Sequence, residues 1–270
     1  MAYPSPRHAL FLSVLFVVVQ IVLGNLGFLY SERLALIATE LTLILLLAVF
    51  FGWSRSSTED VLLLNATSLS TILASLFAAI GAALLVAELD VHVSELFSSL
   101  HSSLPVGQQR YVIGIQLVDN VSDALIVFAT LVLAPAVCEE VFFRGFVFTA
   151  LAARHGAMAA ILGTAFLFAA IHFNPWQFPA LVLLGIFLGV LVYVTHSIYP
   201  AIVAHMVTNG LSVLGINLRA HTGQDVLAAS DHLPLVLFLV AVVLLWSGLR
   251  IVHRQHPIMP LLSSGARRPT

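Results

Sequence analysis

Lysine is absent from this 270-residue chain; all eleven basic residues are arginine. Charged residues make up only 9% of it, against about 25% in soluble domains. That scarcity excludes an ordinary soluble enzyme, a disordered chain and a nucleic-acid binder. One cysteine, Cys138, leaves no partner for an internal disulfide. Neither a Gly-rich phosphate loop nor a basic patch is present, and no internal repeat is visible. What dominates is apolar: 60% of residues are hydrophobic, with a mean hydropathy of +1.05. Such a chain dissolves in lipid, where about 20 apolar residues make one spanning helix.

Eight apolar runs stand out: 9–29, 34–53, 68–87, 121–152, 157–172, 178–195, 198–214 and 233–251. None alternates as a barrel strand would, and closed helices satisfy every backbone group without water. The expectation is an all-α polytopic integral membrane protein of about eight helices, with any site lying between them. The first run reads as a span and not as a signal peptide, because Gly24-Asn25-Leu26-Gly27-Phe28 continues it without a clear cleavage site. The expected units are an N-terminal set of spans with a polar loop (1–120), a helical core (121–216), a polar loop and last span (217–256) and a disordered tail (257–270). Within the polar stretch 88–120, Val93, Leu96, Phe97 and Leu100 recur at helical spacing, which predicts a short amphipathic helix at the interface.

Arg250, Arg254, Arg267 and Arg268 follow the last span, so the positive-inside rule puts the C-terminus in the cytoplasm. With eight spans the N-terminus and Arg7 lie there too, as do Arg55 and Arg154. The expected location is a bacterial cytoplasmic membrane.

Ionisable residues inside spans are costly and point to function by default. Most acids and histidines here sit in loops or at helix ends. Glu40 and Asp123 are single acids near span ends and read as interfacial. The remainder is short: Glu139, Glu140, Arg144, His172 and His205, with Asn209 beside them. Glu140 and Arg144 are four apart with the acid first, the favourable order for an ion pair. Glu139 points about 100° away on an α-helix, so the two acids should not share an environment. Glu139 is left without a local partner, and an unpaired, desolvated carboxylate can take a proton from water. The plain alternative is one buried ion cluster that fixes helix packing.

His172 ends the next run. Glu139 lies 16 residues before His155, where the chain should turn, and His172 lies 17 after it. In an antiparallel hairpin both reach similar depth. The alternative is a histidine capping its helix beside Pro175. His205 and Asn209 are four apart on one face, a polar pair suited to an oxyanion or, equally, to interhelical packing. Depth counting alone separates His205, near a turn at 197–200, from His172 at the far end of its own helix. Gly185 and Gly189 form a small-xxx-small pattern for close helix approach. Cys138 reads as an inert buried thiol.

Together, Glu139-Glu140-x-x-x-Arg144, Phe168-x-x-x-His172 and His205-x-x-x-Asn209 resemble the signature of the CPBP (Abi) intramembrane proteases. That family includes the type II CaaX prenyl endopeptidase and bacterial relatives. The resemblance covers roughly 131–211. It implies an endopeptidase acting on a membrane-embedded or lipid-anchored protein or peptide, with the bilayer and no nucleic acid as its other partner. It implies Glu139 as the base that activates water, His172 as its assistant, His205 and Asn209 as oxyanion stabilisers, and Glu140 and Arg144 as support. Glu139, His172 and His205 would be the ligands if Zn2+ is used. The H-E-x-x-H arrangement of zincins is missing, and metal-free water activation is slightly preferred. The competing functions are a non-catalytic immunity or scaffold protein of the same fold, and a proton-coupled transporter.

Overall fold

The computed structural model describes residues 3–27, 31–54, 56–224 and 232–256. Arg55, Arg267, Arg268 and the expected tail from 257 lie outside the described residues. Among those described, every regular element is helical. Helices α1 (Pro6–Gly27) and α2 (Glu32–Trp53) form a hairpin. A single turn, α3 (Thr58–Leu62), leads into α4 (Leu69–Ser99), and α5 (Val106–Gly114) follows.

A helical run then extends over Val121–Ala170, 50 residues. It begins as α6 (Val121–Val127), widens into a π-helical segment (Phe128–Leu133) and returns to α7 (Ala134–Glu139). A second π-helical segment (Glu140–Val147) precedes α8 (Phe148–Ala170). Three helices complete the bundle: α9 (Phe178–Thr195), α10 (Tyr199–His221) and α11 (Leu235–Gln255).

Seven of these continuous helices are long and apolar enough to cross a membrane. The 50-residue run would measure about 75 Å, more than twice the ~30 Å hydrocarbon core. Gly156 breaks it with φ 82° and ψ 173°, a left-handed φ that glycine adopts freely. The run is therefore two antiparallel legs, which restores the eight crossings expected from composition. Large apolar side chains such as Leu41, Leu45 and Val49 face outward, as lipid contact requires.

Side-chain contacts fix which ends lie together. His8 meets Phe50, Phe50 meets Phe146, Leu62 adjoins Gly145, and Thr71 Oγ1 donates to Gln255 Oε1 at 2.7 Å. The start of α1 and the end of α11 thus share one end of the bundle, the near end. At the far end Arg33 pairs with Asp123 at 3.2 Å, and Asn217 Oδ1 accepts from the Val118 N–H. An even number of crossings follows.

Two expectations change. Val93, Leu96 and Phe97 do not form a short helix of their own; α4 continues through them to Ser99, about 46 Å in all, and the separate short helix of this stretch is α5. The α4 sequence holds no proline, so nothing stops the helix when the composition turns polar. Likewise α10 runs to His221, seven residues beyond the expected Leu214.

Candidate active site

The site grows from the second π-helical segment. An i→i+5 turn is wider than an α turn and recurs at functional positions. Glu140 opens it and Arg144 lies within it, both fully buried. Arg144 Nη1 donates to Glu140 Oε1 at 2.8 Å, the pairing the spacing predicted. Arg144 Nη2 donates to the Gly185 carbonyl at 3.3 Å, and its guanidinium lies 4.5 Å above the Phe168 ring. An added Cβ on Gly185 would lie 2.8 Å from Ala165 Cα. This glycine therefore lets α8 and α9 touch and also offers its carbonyl to Arg144.

The expectation that Glu139 and Glu140 keep separate environments is corrected. Both reach His205, from opposite edges of its ring. His205 Nδ1 donates to Glu140 Oε1 at 3.0 Å, while its Nε2 lies 3.8 Å from Glu139 Oε2. The widened turn starting at Glu140 and the two-sided imidazole remove the separation that an α-helix alone would impose. Glu139, Glu140 and His205 are all buried. The 3.8 Å gap exceeds a hydrogen bond, and Glu139 Oε2 is buried with no hydrogen-bond partner.

Glu139 lines a cavity of about 370 Å³, together with Glu40, His172, His205 and Asn209. The cavity reaches Gly24, Glu32 and Tyr111, so it extends toward the far end of the bundle. His172 lies at the exposed margin; its Nδ1–H donates to the Phe168 carbonyl at 2.7 Å. A carbonyl only accepts, so Nε2 carries the lone pair. His172 and His205 do not touch. Their rings sit 4.8 and 5.7 Å from that of Phe168, which packs against both. Asn209 Nδ2 donates to the Leu131 carbonyl at 3.1 Å, in the first π-helical segment.

Residues 121–211 match the family model for type II CAAX prenyl endopeptidases of the Rce1-like kind. This segment is similar to that family. It spans about a third of the chain and contains all six polar residues singled out above, consistent with the CPBP/CaaX protease family. No curated protein and no solved structure matches the chain significantly.

Within the Rce1-like segment the possible metal ligands do not converge. Among the described residues, Glu139, His172 and His205 do not bring three ligand atoms within reach of one ion. The donor set therefore does not fit a metal held by all three.

Glu40, outside the Rce1-like segment, is the residue that sequence reasoning misplaced. It is buried in the wall of the cavity that Glu139 also lines, with Oε2 unpartnered. Its position was a usable signal: it is the ninth of 22 residues in α2, close to mid-span. Asp123 does sit at a span end, paired with Arg33. Cys138 is buried and free.

Proposed function

We propose that this integral multi-pass membrane protein is an intramembrane endopeptidase that hydrolyses its substrate with glutamate-activated water. The observation that carries this reading is the buried Glu139, its Oε2 unpartnered, on a cavity shared with His172, His205 and Asn209. Arg144 neutralises the neighbouring Glu140 and leaves Glu139 to act as a base.

A water between Glu139 Oε2 and His205 Nε2 is within reach of both. Glu139 removes its proton as the water oxygen attacks the peptide carbonyl. With both ring nitrogens protonated, His205 gives its Nδ1–H to Glu140 and its Nε2–H to the tetrahedral oxyanion, which also takes a hydrogen bond from the Asn209 carboxamide. The proton then passes to the departing amine as the C–N bond breaks. His172, with Nε2 unsubstituted at the cavity margin, assists by orienting water or substrate. Water activation without metal is supported by the separation of Glu139, His172 and His205.

The substrate class is a membrane-embedded or lipid-anchored protein or peptide, entering from lipid. Similarity to type II CAAX prenyl endopeptidases makes a prenylated CaaX protein the first substrate to try. We place both chain ends on the cytoplasmic side of a bacterial inner membrane, on the arginine distribution.

The test compares the N- and C-termini of membrane proteins in cells expressing wild type or Glu139→Ala at matched levels. A new terminus found only with wild type supports proteolysis and names a substrate for reconstitution. Identical termini, with a cellular phenotype that Glu139→Ala still rescues, would replace this reading with a non-catalytic scaffold or immunity protein.

A further inference from the structure

A second polar cluster lies away from the cavity, at the far end of the bundle. The extension of α4 beyond the apolar stretch presents Glu88, His92 and Glu95. Glu88 and His92 are one helical turn apart and share a face. His232, just ahead of α11, reaches the same face from 140 residues later in the chain. One ligand atom each from Glu88, His92 and His232 lies within 4.8 Å of the other two, the only such trio of histidines, cysteines and acids among the described residues.

The facing atoms are identifiable. Glu88 Oε1 is 3.2 Å from His92 Nε2 and 2.8 Å from His232 Nδ1. Ligand atoms around tetrahedral Zn2+ sit ~2.0–2.1 Å from the ion, hence roughly 3.4 Å from each other. Glu88 Oε1 would have to draw back by about 0.2 Å from His92 Nε2 and about 0.6 Å from His232 Nδ1 to reach that spacing. The surroundings suit a metal as well. The Leu233 N–H donates to Glu88 Oε2 at 2.8 Å, which orients the carboxylate and leaves Oε1 free for an ion.

Glu95 supports both imidazoles from behind. His232 Nε2 lies 3.1 Å from Glu95 Oε1, and His92 Nδ1 lies 3.8 Å from Glu95 Oε2. A histidine bound to metal through one nitrogen commonly donates the other N–H to a carboxylate, which fixes its ring. Two imidazoles, which are borderline ligands, with one carboxylate make a set that zinc takes, whereas calcium and magnesium take oxygen shells.

We propose that Glu88, His92 and His232 form a zinc site, with Glu95 as the positioning carboxylate and water as the fourth ligand. The ion clamps the protruding end of α4 to the start of α11. The site is separate from the intramembrane cavity and does not rest on the protease reading.

The test uses the full chain in detergent, stripped with chelator, loaded with ZnCl2 and passed through gel filtration before metal counting. Wild type and Glu139→Ala each retain one zinc per chain. His92→Ala and His232→Ala, altered at half-exposed side chains, keep the zinc-free melting temperature of wild type and bind zinc at least about tenfold more weakly. Co2+ substitution gives the intense visible absorption of a tetrahedral site in wild type, and Glu95→Gln alters that spectrum. Zinc lost from Glu139→Ala but kept by His92→Ala and His232→Ala overturns the proposal, because the ion then sits in the membrane site. Zinc kept by all variants, or by none including wild type, overturns it too.

Discussion

Two interfaces hold this bundle together by opposite means. Where α4 meets α11 the contact is dry and made by absence. An added Cβ on Gly248 would lie 2.6 Å from the Ala74 carbonyl oxygen and 2.7 Å from the Ala78 nitrogen. Gly81 stands against Ala241 and Leu245 in the same way. Backbone touches backbone, as small residues permit in membranes. Around Glu140 the contact is made by charge. A carboxylate, a guanidinium and an imidazole are buried together and joined at 2.8 and 3.0 Å. The first interface tolerates nothing added. The second tolerates nothing removed, since each lost group leaves another charged and buried.

The comparison is broken most severely at Arg144. Arg144→Ala leaves Glu140 uncompensated and should destabilise the protein by about 3–5 kcal/mol, seen as loss of folded protein in detergent. The double change Glu140→Gln with Arg144→Met should be markedly less damaging than Arg144→Ala alone, because the charge goes with its partner. Unfolding midpoints of the single and double variants check both statements.

Glu139→Gln sharpens the contrast within the polar site. Its Oε2 makes no hydrogen bond, so the melting temperature should hardly change, while cleavage falls ~10²–10⁴-fold. A reconstituted cleavage assay beside a melting curve separates the two effects. At the dry interface, Gly248→Val should cost about 1–3 kcal/mol, because the nearest atoms are backbone and cannot rotate away. A thermal shift in detergent reads it. Smallest is Glu40→Gln, which removes an ionisable group from the cavity wall shared with Glu139 and keeps the side-chain shape. Cleavage should change by less than about tenfold, or ~1.4 kcal/mol, with unaltered zinc content.

Much of this arrangement was legible in the chain. Spans follow from apolar length, and Glu140 with Arg144 follows from four-residue spacing, because both depend on nearby sequence. Gly156 turns the chain one residue from the expected His155, so the counting that brought Glu139 and His172 to one cavity rests on a real turn. What was hidden depends on contacts between distant spans or on helix winding. Nothing in Glu139-Glu140 announces a π-helical turn, so their meeting at His205 was invisible. The apparent depth conflict between His172 and His205 dissolves because they never touch. Gly81 and Gly248 are unremarkable until α4 and α11 are placed side by side. Glu40 was misjudged for a simpler reason: it was treated as a span-end residue although it lies near the middle.

Phe168 gives the three motifs a shared wall. Its face carries the Arg144 guanidinium at 4.5 Å, and its ring adjoins His172, His205 and Phe143 at 4.8, 5.7 and 5.8 Å. The hydrocarbon letter in Phe168-x-x-x-His172 is thus as much a part of the chemistry as the polar ones. An aromatic ring offers electron density above and hydrogen-lined edges around, so a single side chain holds a cation over its face and packs two imidazoles at steep angles. It works as a mounting plate: three groups from three motifs take their positions from one rigid ring.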